Sequence, residues 1–220
     1  AMLFTGEICL YIHSLKELET VIIGRNSIRG TLPFNNLLNL KKVDTRENKL
    51  SGSIPSTIFT PQLEYLDLSR NSIDGALPVN VGKSVDLAVL DLSVNKCSGA
   101  LPSELGRAHA LTDLLLADND FSGLLPESLG ELTKVKNLEL SKNMFTGNVP
   151  QSLVELRYLS TLELSDNDIV GSLDFMCVDG DSRLKLFSSD CYGDKPETIC
   201  ECCTLCCEDS AGKGESCHQN

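Results

Sequence analysis

The sequence predicts an α/β repeat solenoid, a stack of short strand-turn-arm coils closed at its C-terminal end by a disulfide-rich cap. Three observations carry this expectation. A thirteen-residue string recurs almost unchanged, as "LDLSVNKCSGALP" from residue 90, "LELSKNMFTGNVP" from 138 and "LELSDNDIVGSLD" from 162. The recurrence keeps a fixed interval, which is the mark of stacked units that share one core. Eight of the ten cysteines fall between Cys177 and Cys217.

The first element is a broken one. Counting back from the first full copy, Phe4, Gly6 and Ile8 keep the phase of the repeat, with Cys9 where proline stands elsewhere. The state of Cys9 is left open. The chain thus begins inside a repeat, and the expectation is that it is a fragment, or that further repeats precede residue 1. That would also account for the missing signal peptide.

Seven full repeats follow, anchored on Asn26, Asn48, Asn71, Asn95, Asn119, Asn143 and Asn167 at intervals of 22 to 24 residues. Five residues before each Asn stand Val21, Val43, Leu66, Leu90, Leu114, Leu138 and Leu162, and three before stand Ile23, Thr45, Leu68, Leu92, Leu116, Leu140 and Leu164. This period-2 pair is the alternation of a short strand with one face buried. Eight before comes another apolar column, Leu18, Leu40, Leu63, Leu87, Leu111, Val135 and Leu159. After each Asn, a glycine recurs from Gly30 to Gly171, followed by an apolar residue and usually proline, which end the strand and turn the chain. Each returning arm is too short to bury a face alone, so neighbours must stack. The Asn amides are assigned a structural role, satisfying backbone groups where the coil bends. One parallel sheet of seven or eight strands is expected.

The pattern LxxLxxLxLxxNxLxGxLPxxL resembles the leucine-rich repeat, and its Gly-x-Leu/Ile-Pro segment resembles the plant-type subclass of receptor-like kinase ectodomains, receptor-like proteins and polygalacturonase-inhibiting proteins. The resemblance covers residues 1–174. It implies a leucine-rich-repeat superhelix with a parallel concave β-sheet and irregular or 3-10 convex arms. Tail strings such as "ICECCTLCC" are similar to the Cys-rich ends of some algal leucine-rich-repeat proteins.

The remaining 175–220 read as a Cys-rich cap and tail. Leu184 and Leu186 supply one last apolar alternation, so 172–191 is expected to form a terminal half-coil over the open end of the core. Cys177, Cys191, Cys200, Cys202, Cys203, Cys206, Cys207 and Cys217 are expected to form four disulfides, whose connectivity spacing does not resolve. A zinc site at the C-x-x-C pair Cys203 and Cys206 is the competing reading, disfavoured because the cysteines are crowded together instead of forming two spaced pairs. Cys97 sits in the apolar slot two after Asn95 and is expected to be a buried free thiol.

Composition narrows the function. The formal net charge of -12 disfavours a nucleic-acid partner. No run of apolar residues is long enough for a membrane helix within the chain. Phosphate loops, nucleophile elbows and paired metal-binding histidines are all missing, His13, His109 and His218 read as solvated, and "DNDFSG" and "DNDIVG" are repeat anchors, not calcium loops. No enzyme, cofactor or metal is expected.

On the concave strand face, the column four before each Asn reads Ile22, Asp44, Asp67, Asp91, Leu115, Glu139 and Glu163. Stacked like charges repel, and a basic ligand would relieve them. Val89, Val94, Leu115 and Ala117 form, with Ala88, a less polar window on the fourth and fifth coils. The candidate ligand-binding set is therefore Asp67, Val89, Asp91, Val94, Leu115, Ala117, Glu139 and Glu163. The resemblance implies a non-catalytic extracellular module that binds a peptide or protein ligand, secreted or as the ectodomain of a membrane protein whose span lies outside this chain. The alternatives are a secreted inhibitor of a cell-wall hydrolase and a structural or surface-adsorbing protein on polysaccharide or ice.

Overall fold

A computed structural model describes residues 5–7, 12–177, 184–191, 198–200, 202–208 and 216–219. The chain forms the expected repeat solenoid, and each coil has three sides. One side belongs to a ten-stranded sheet that runs through Thr20–Ile22, Lys42–Asp44, Tyr65–Asp67, Val89–Asp91, Asp113–Leu115, Asn137–Glu139 and Thr161–Glu163. Pairing is parallel and in strict repeat register, for example Leu66 opposite Leu90 and Leu114 opposite Leu138. The columns five and eight before each Asn are buried from the second anchor onward, and the N-terminal members are more open, with Leu18 only partly buried.

The second side corrects the expectation of a single sheet. Eight further strands, Thr5–Glu7, Ser27–Gly30, Lys49–Ser53, Ser72–Gly75, Lys96–Gly99, Asp120–Leu124, Met144–Gly147 and Asp168–Ile169, form a second sheet immediately after the anchors. Glycine ends four of these strands, at Gly30, Gly75, Gly99 and Gly147, but not the longer Lys49–Ser53 and Asp120–Leu124. Gly123 takes φ +81°, a left-handed conformation open to glycine, and the strand runs on to Leu124. Every second residue here points inward, so Leu50, Ile73, Cys97, Phe121, Phe145 and Ile169 form another buried column, in which the Phe121 and Phe145 rings stack at 6.3 Å. Cys97 is a buried free thiol, pushed up to about 12 chiefly by burial.

The third side is made of short 3-10 arms such as Ser103–Arg107, Glu127–Glu131 and Gln151–Glu155, each entered through a proline. A Cβ on Gly106 would lie 2.4 Å from the Ser128 carbonyl oxygen, so the arms approach backbone to backbone. One coil beyond Gly130 the same slot holds Val154, which follows from the shorter arm above it, Asp174–Met176. Among the described residues no helix is long and apolar enough to cross a membrane.

The anchors join the coils. Asn48 Nδ2 donates to the carbonyls of Thr45 in its own coil and Ile23 in the previous one, both at 3.0 Å, while its Oδ1 accepts from the Ile28 N–H. The arrangement repeats through Asn71, Asn95, Asn119, Asn143 and Asn167; Asn26 bonds the Ile23 and Gly24 carbonyls of its own coil.

The cap extends the long sheet where a half-coil was expected. Leu186–Ser189 pairs parallel to Thr161–Glu163, Leu205–Glu208 adds a further parallel strand, and Ser216–Gln219 closes the edge antiparallel. Leu162 lies opposite Phe187, so Phe187, not Leu186, fills the core slot and is fully buried. Disulfides join Cys177 to Cys202, Cys191 to Cys206 and Cys200 to Cys203, and Cys207 is also disulfide-bonded. Cys9 and the Cys217 side chain lie outside the described residues.

The residue before each anchor is left-handed, which Asp118 and Asp166 tolerate well. Val94 is β-branched and sits there at φ +56°. Val94→Asn is expected to raise the unfolding free energy by about 1 kcal/mol, read as a higher denaturant midpoint at unchanged m-value.

Candidate ligand-binding surface

On the solvent side of the long sheet, two outward columns carry the chemistry, because residues two apart on a strand share a face. The column six before each anchor reads Thr20, Lys42, Tyr65, Val89, Asp113, Asn137 and Thr161, and the column four before begins at Ile22 and ends at Glu163. The structure divides this face into two halves of different character.

In the N-terminal half the acids are neutralised within the protein. Asp67 is 2% exposed, so it is no part of an accessible rim. Its Oδ1 accepts from the Ser69 N–H at 3.1 Å and hydroxyl at 2.6 Å, and its Oδ2 takes Arg46 Nη1 and the Tyr65 hydroxyl, each at 3.3 Å. Arg46 also lies 3.7 Å from Asp44, itself buried. The guanidinium pKa is raised, chiefly by the Asp44 charge. Lys42 Nζ stands 4.6 Å above the Tyr65 ring, and burial together with the Asp67 and Asp44 charges pushes the Tyr65 hydroxyl up to about 12.

In the C-terminal half Asp91 and Asp113 are hydrogen-bonded but their charge is not cancelled. Leu115 lies directly between Asp91 and Glu139 on adjacent strands, and Asp113 precedes it by two on its own strand. Asp91 Oδ1 accepts from the Ser93 N–H and hydroxyl at 2.9 and 2.7 Å. Asp113 accepts from Thr112 Oγ1 at 2.6 Å and from Asn137 Nδ2. Among the described residues, no ion pair reaches Asp91, Asp113 or Glu139. The Asp91 and Glu139 carboxyls titrate above the usual range, first because of burial; Glu139 is raised further by the charges of Glu163, Asp91 and Asp113.

The structure thus brings Val89, Asp91, Leu115, Glu139 and Glu163 onto one continuous face, with Ala117 two residues on from Leu115 and Val94 in the turn beyond its strand. Leu115 and Val89 are half-buried. Asp113 was missed because it lies outside the column read from the anchors; the alternation of the strand itself, taken two residues further back, signals it.

A stack of short parallel strands with prolyl arms and an asparagine ladder defines a class, the leucine-rich-repeat solenoid. Family models described as leucine rich repeat match residues 62–84 and 109–169, and the chain is similar to plant leucine-rich-repeat receptors. "Receptor-like protein 35" of Arabidopsis thaliana is 33% identical over 90 residues, 39% of this chain and 9% of that protein. The leucine-rich-repeat ectodomain of the Arabidopsis thaliana receptor kinase GASSHO1/SCHENGEN3, solved in complex with CASPARIAN STRIP INTEGRITY FACTOR 2, is 33% identical with a TM-score of 0.79, covering 85% of this chain and 22% of that one. The Arabidopsis receptor kinase HAESA, solved with the peptide hormone IDA and the co-receptor SERK1, is 28% identical with a TM-score of 0.78 over 99% of this chain and 42% of that one. The chain therefore spans less than a tenth of the curated relatives it matches and under half of these two ectodomains.

Two variants test the two halves. Arg46→Met is expected to cost about 1–3 kcal/mol, because the Asp44 and Asp67 carboxylates stay buried without their cation. Glu139 has a folded-state pKa above its unfolded one, so it opposes folding once ionised, and that penalty vanishes as pH falls through the raised value. Glu139→Gln is therefore expected to raise the unfolding free energy near pH 7 by less than about 1 kcal/mol, given its partial exposure, read as a higher thermal midpoint, and to lose that gain at acid pH.

Proposed function

We propose that the chain is an extracellular recognition module, not an enzyme, and that it binds a basic peptide or protein segment on the outer face of the long sheet. The observation that carries this reading is Leu115, a half-buried aliphatic side chain set among Asp91, Asp113 and Glu139. This arrangement suits one lysine or arginine side chain of a ligand. Its methylene stem would cover Leu115 and Val89, and its charged head would reach the carboxylates. Removing water from the centre strengthens the contact, while Glu163 adds to the field that draws a cation inward.

The solved relatives support the setting, since the HAESA and GASSHO1/SCHENGEN3 ectodomains are described in complex with a peptide hormone and an integrity factor. The disulfides of the cap support an oxidising compartment. The Arg46 cluster would act as a neutralised boundary, because Asp44 and Asp67 are already paired.

A random peptide library selected on the immobilised chain tests this directly. Retained peptides are expected to be enriched in lysine and arginine; equal recovery of acidic and neutral peptides overturns the proposal. For a selected peptide, Leu115→Glu should weaken binding at every salt concentration. The double change Asp91→Asn with Glu139→Gln should mainly slow association and flatten its salt dependence. Affinity indifferent to both, yet lost on altering the 3-10 arms, would move the site to the opposite side.

A further inference from the structure

The cap holds a second cluster with its own chemistry. The Sγ atoms of Cys177, Cys200 and Cys202 all lie within 4.8 Å of one another, and Cys203 Sγ is bonded to that of Cys200. Four sulfurs from two disulfides thus meet in one place. They are not the C-x-x-C pair singled out from spacing, for Cys206 belongs to a different bridge, with Cys191. The backbone holds the cluster together independently of the S–S bonds. Gly171–Ser172 pairs with Thr198–Ile199, and the Leu173 N–H donates to the Ile199 carbonyl at 2.7 Å, which brings Cys177 beside Cys200 and Cys202.

We propose that Cys177, Cys200, Cys202 and Cys203 form a latent zinc site, locked as two disulfides under oxidising conditions and opened by a small dithiol reductant. Two molecules of dithiol supply four electrons and four protons, close to their own cyclic disulfides, and leave four cysteine thiols. Zn²⁺ then replaces the four thiol protons, which pass to solvent, so the metal binds more weakly as pH falls. A tetrahedral tetrathiolate with Zn–S of about 2.3 Å needs sulfurs roughly 3.8 Å apart, so on reduction each bonded pair would separate by about 1.7 Å, while Cys177, Cys200 and Cys202 already lie within 4.8 Å of one another. Access and shelter are both present. Cys202 is exposed and Cys177 half-buried, open to reductant and metal, whereas Cys200 and Cys203 are buried in the core. The Ser189 hydroxyl, 3.4 Å from Cys203 Sγ and 2.9 Å from Thr198 Oγ1, stands ready to donate to a Cys203 thiolate, as groups around metal ligands commonly do.

The test uses the full chain, reduced with dithiol, freed of it without air, and titrated with Co²⁺ and then Zn²⁺. One Co²⁺ per chain is expected, with thiolate-to-cobalt charge-transfer absorption and the intense d–d bands of a tetrahedral site, displaced by one Zn²⁺; the oxidised chain should show neither. Cys177→Ser and Cys202→Ser should each weaken Zn²⁺ binding by about tenfold or more and deplete the charge-transfer band. Cys191→Ser, in the neighbouring bridge, should change it less than about twofold. No saturable cobalt spectrum in the reduced native chain overturns the proposal, whatever the variants do. Equal losses in Cys191→Ser and Cys202→Ser also overturn it, because the tail would then bind metal without selecting this cluster.

Discussion

Each coil completes the hydrogen bonding of the coil before it, and this dependence governs the rest of the molecule. A strand of three residues and a prolyl arm leave most of their backbone groups unsatisfied within their own coil. The next coil supplies the partners, at the strand spacing of about 4.8 Å. The anchor asparagines make the dependence explicit, since one side chain bonds carbonyls of two coils and receives an N–H from the earlier one. Coil length is therefore confined to 22 to 24 residues. The arms must close to backbone contact, which leaves no room for a Cβ at Gly106.

A stack of this kind has an end where the supply of partners stops, and the cap answers that need with different groups. Asp190 accepts the Asp166 and Asn167 N–H groups on its two carboxylate oxygens, where earlier coils offer carbonyls. Phe187 fills the leucine slot, Ser189 and Thr198 replace the next leucine with a hydroxyl pair, and buried cystine sulfurs take over as core filling. Cross-links suit this position, because a terminal layer has neighbours on one side only and gains less from burial.

The same spacing that stacks leucines also stacks charges, and the two halves of the outer face resolve that conflict in opposite ways. Around Asp44 and Asp67 the chain inserts its own cation, Arg46, and the acids sink out of solvent. Around Leu115 it uses serine, threonine and asparagine donors, which solvate Asp91 and Asp113 without cancelling their charge. Unneutralised charge beside a half-buried leucine leaves a repulsion in place, and it is on this feature that the proposed recognition of a cationic partner rests.

Much of this was legible in the residues themselves. A period is a one-dimensional property, so the leucine columns, the anchors, the solenoid and an oxidised tail could all be read by counting. What counting could not reach depends on neighbours brought close only by the fold. The second sheet follows from inter-coil pairing after the anchors, where glycine had suggested a stop. Asp67 belongs by sequence to the same acidic column as Asp91, yet it is closed off because Arg46 reaches it from the preceding coil and Tyr65 from its own strand. Phe187, Asp190 and the choice of disulfide partners lie beyond the last repeat, where no period remains to be counted. There the backbone pairing of Gly171–Ser172 with Thr198–Ile199, not sequence spacing, decides which sulfurs meet. Sequence by itself determined how the coils repeat; tertiary structure decided which side chains that repetition buries, pairs or leaves exposed, because those outcomes rest largely on contacts between coils, such as Arg46 with Asp67 and Cys177 with Cys202, 21 and 25 positions apart.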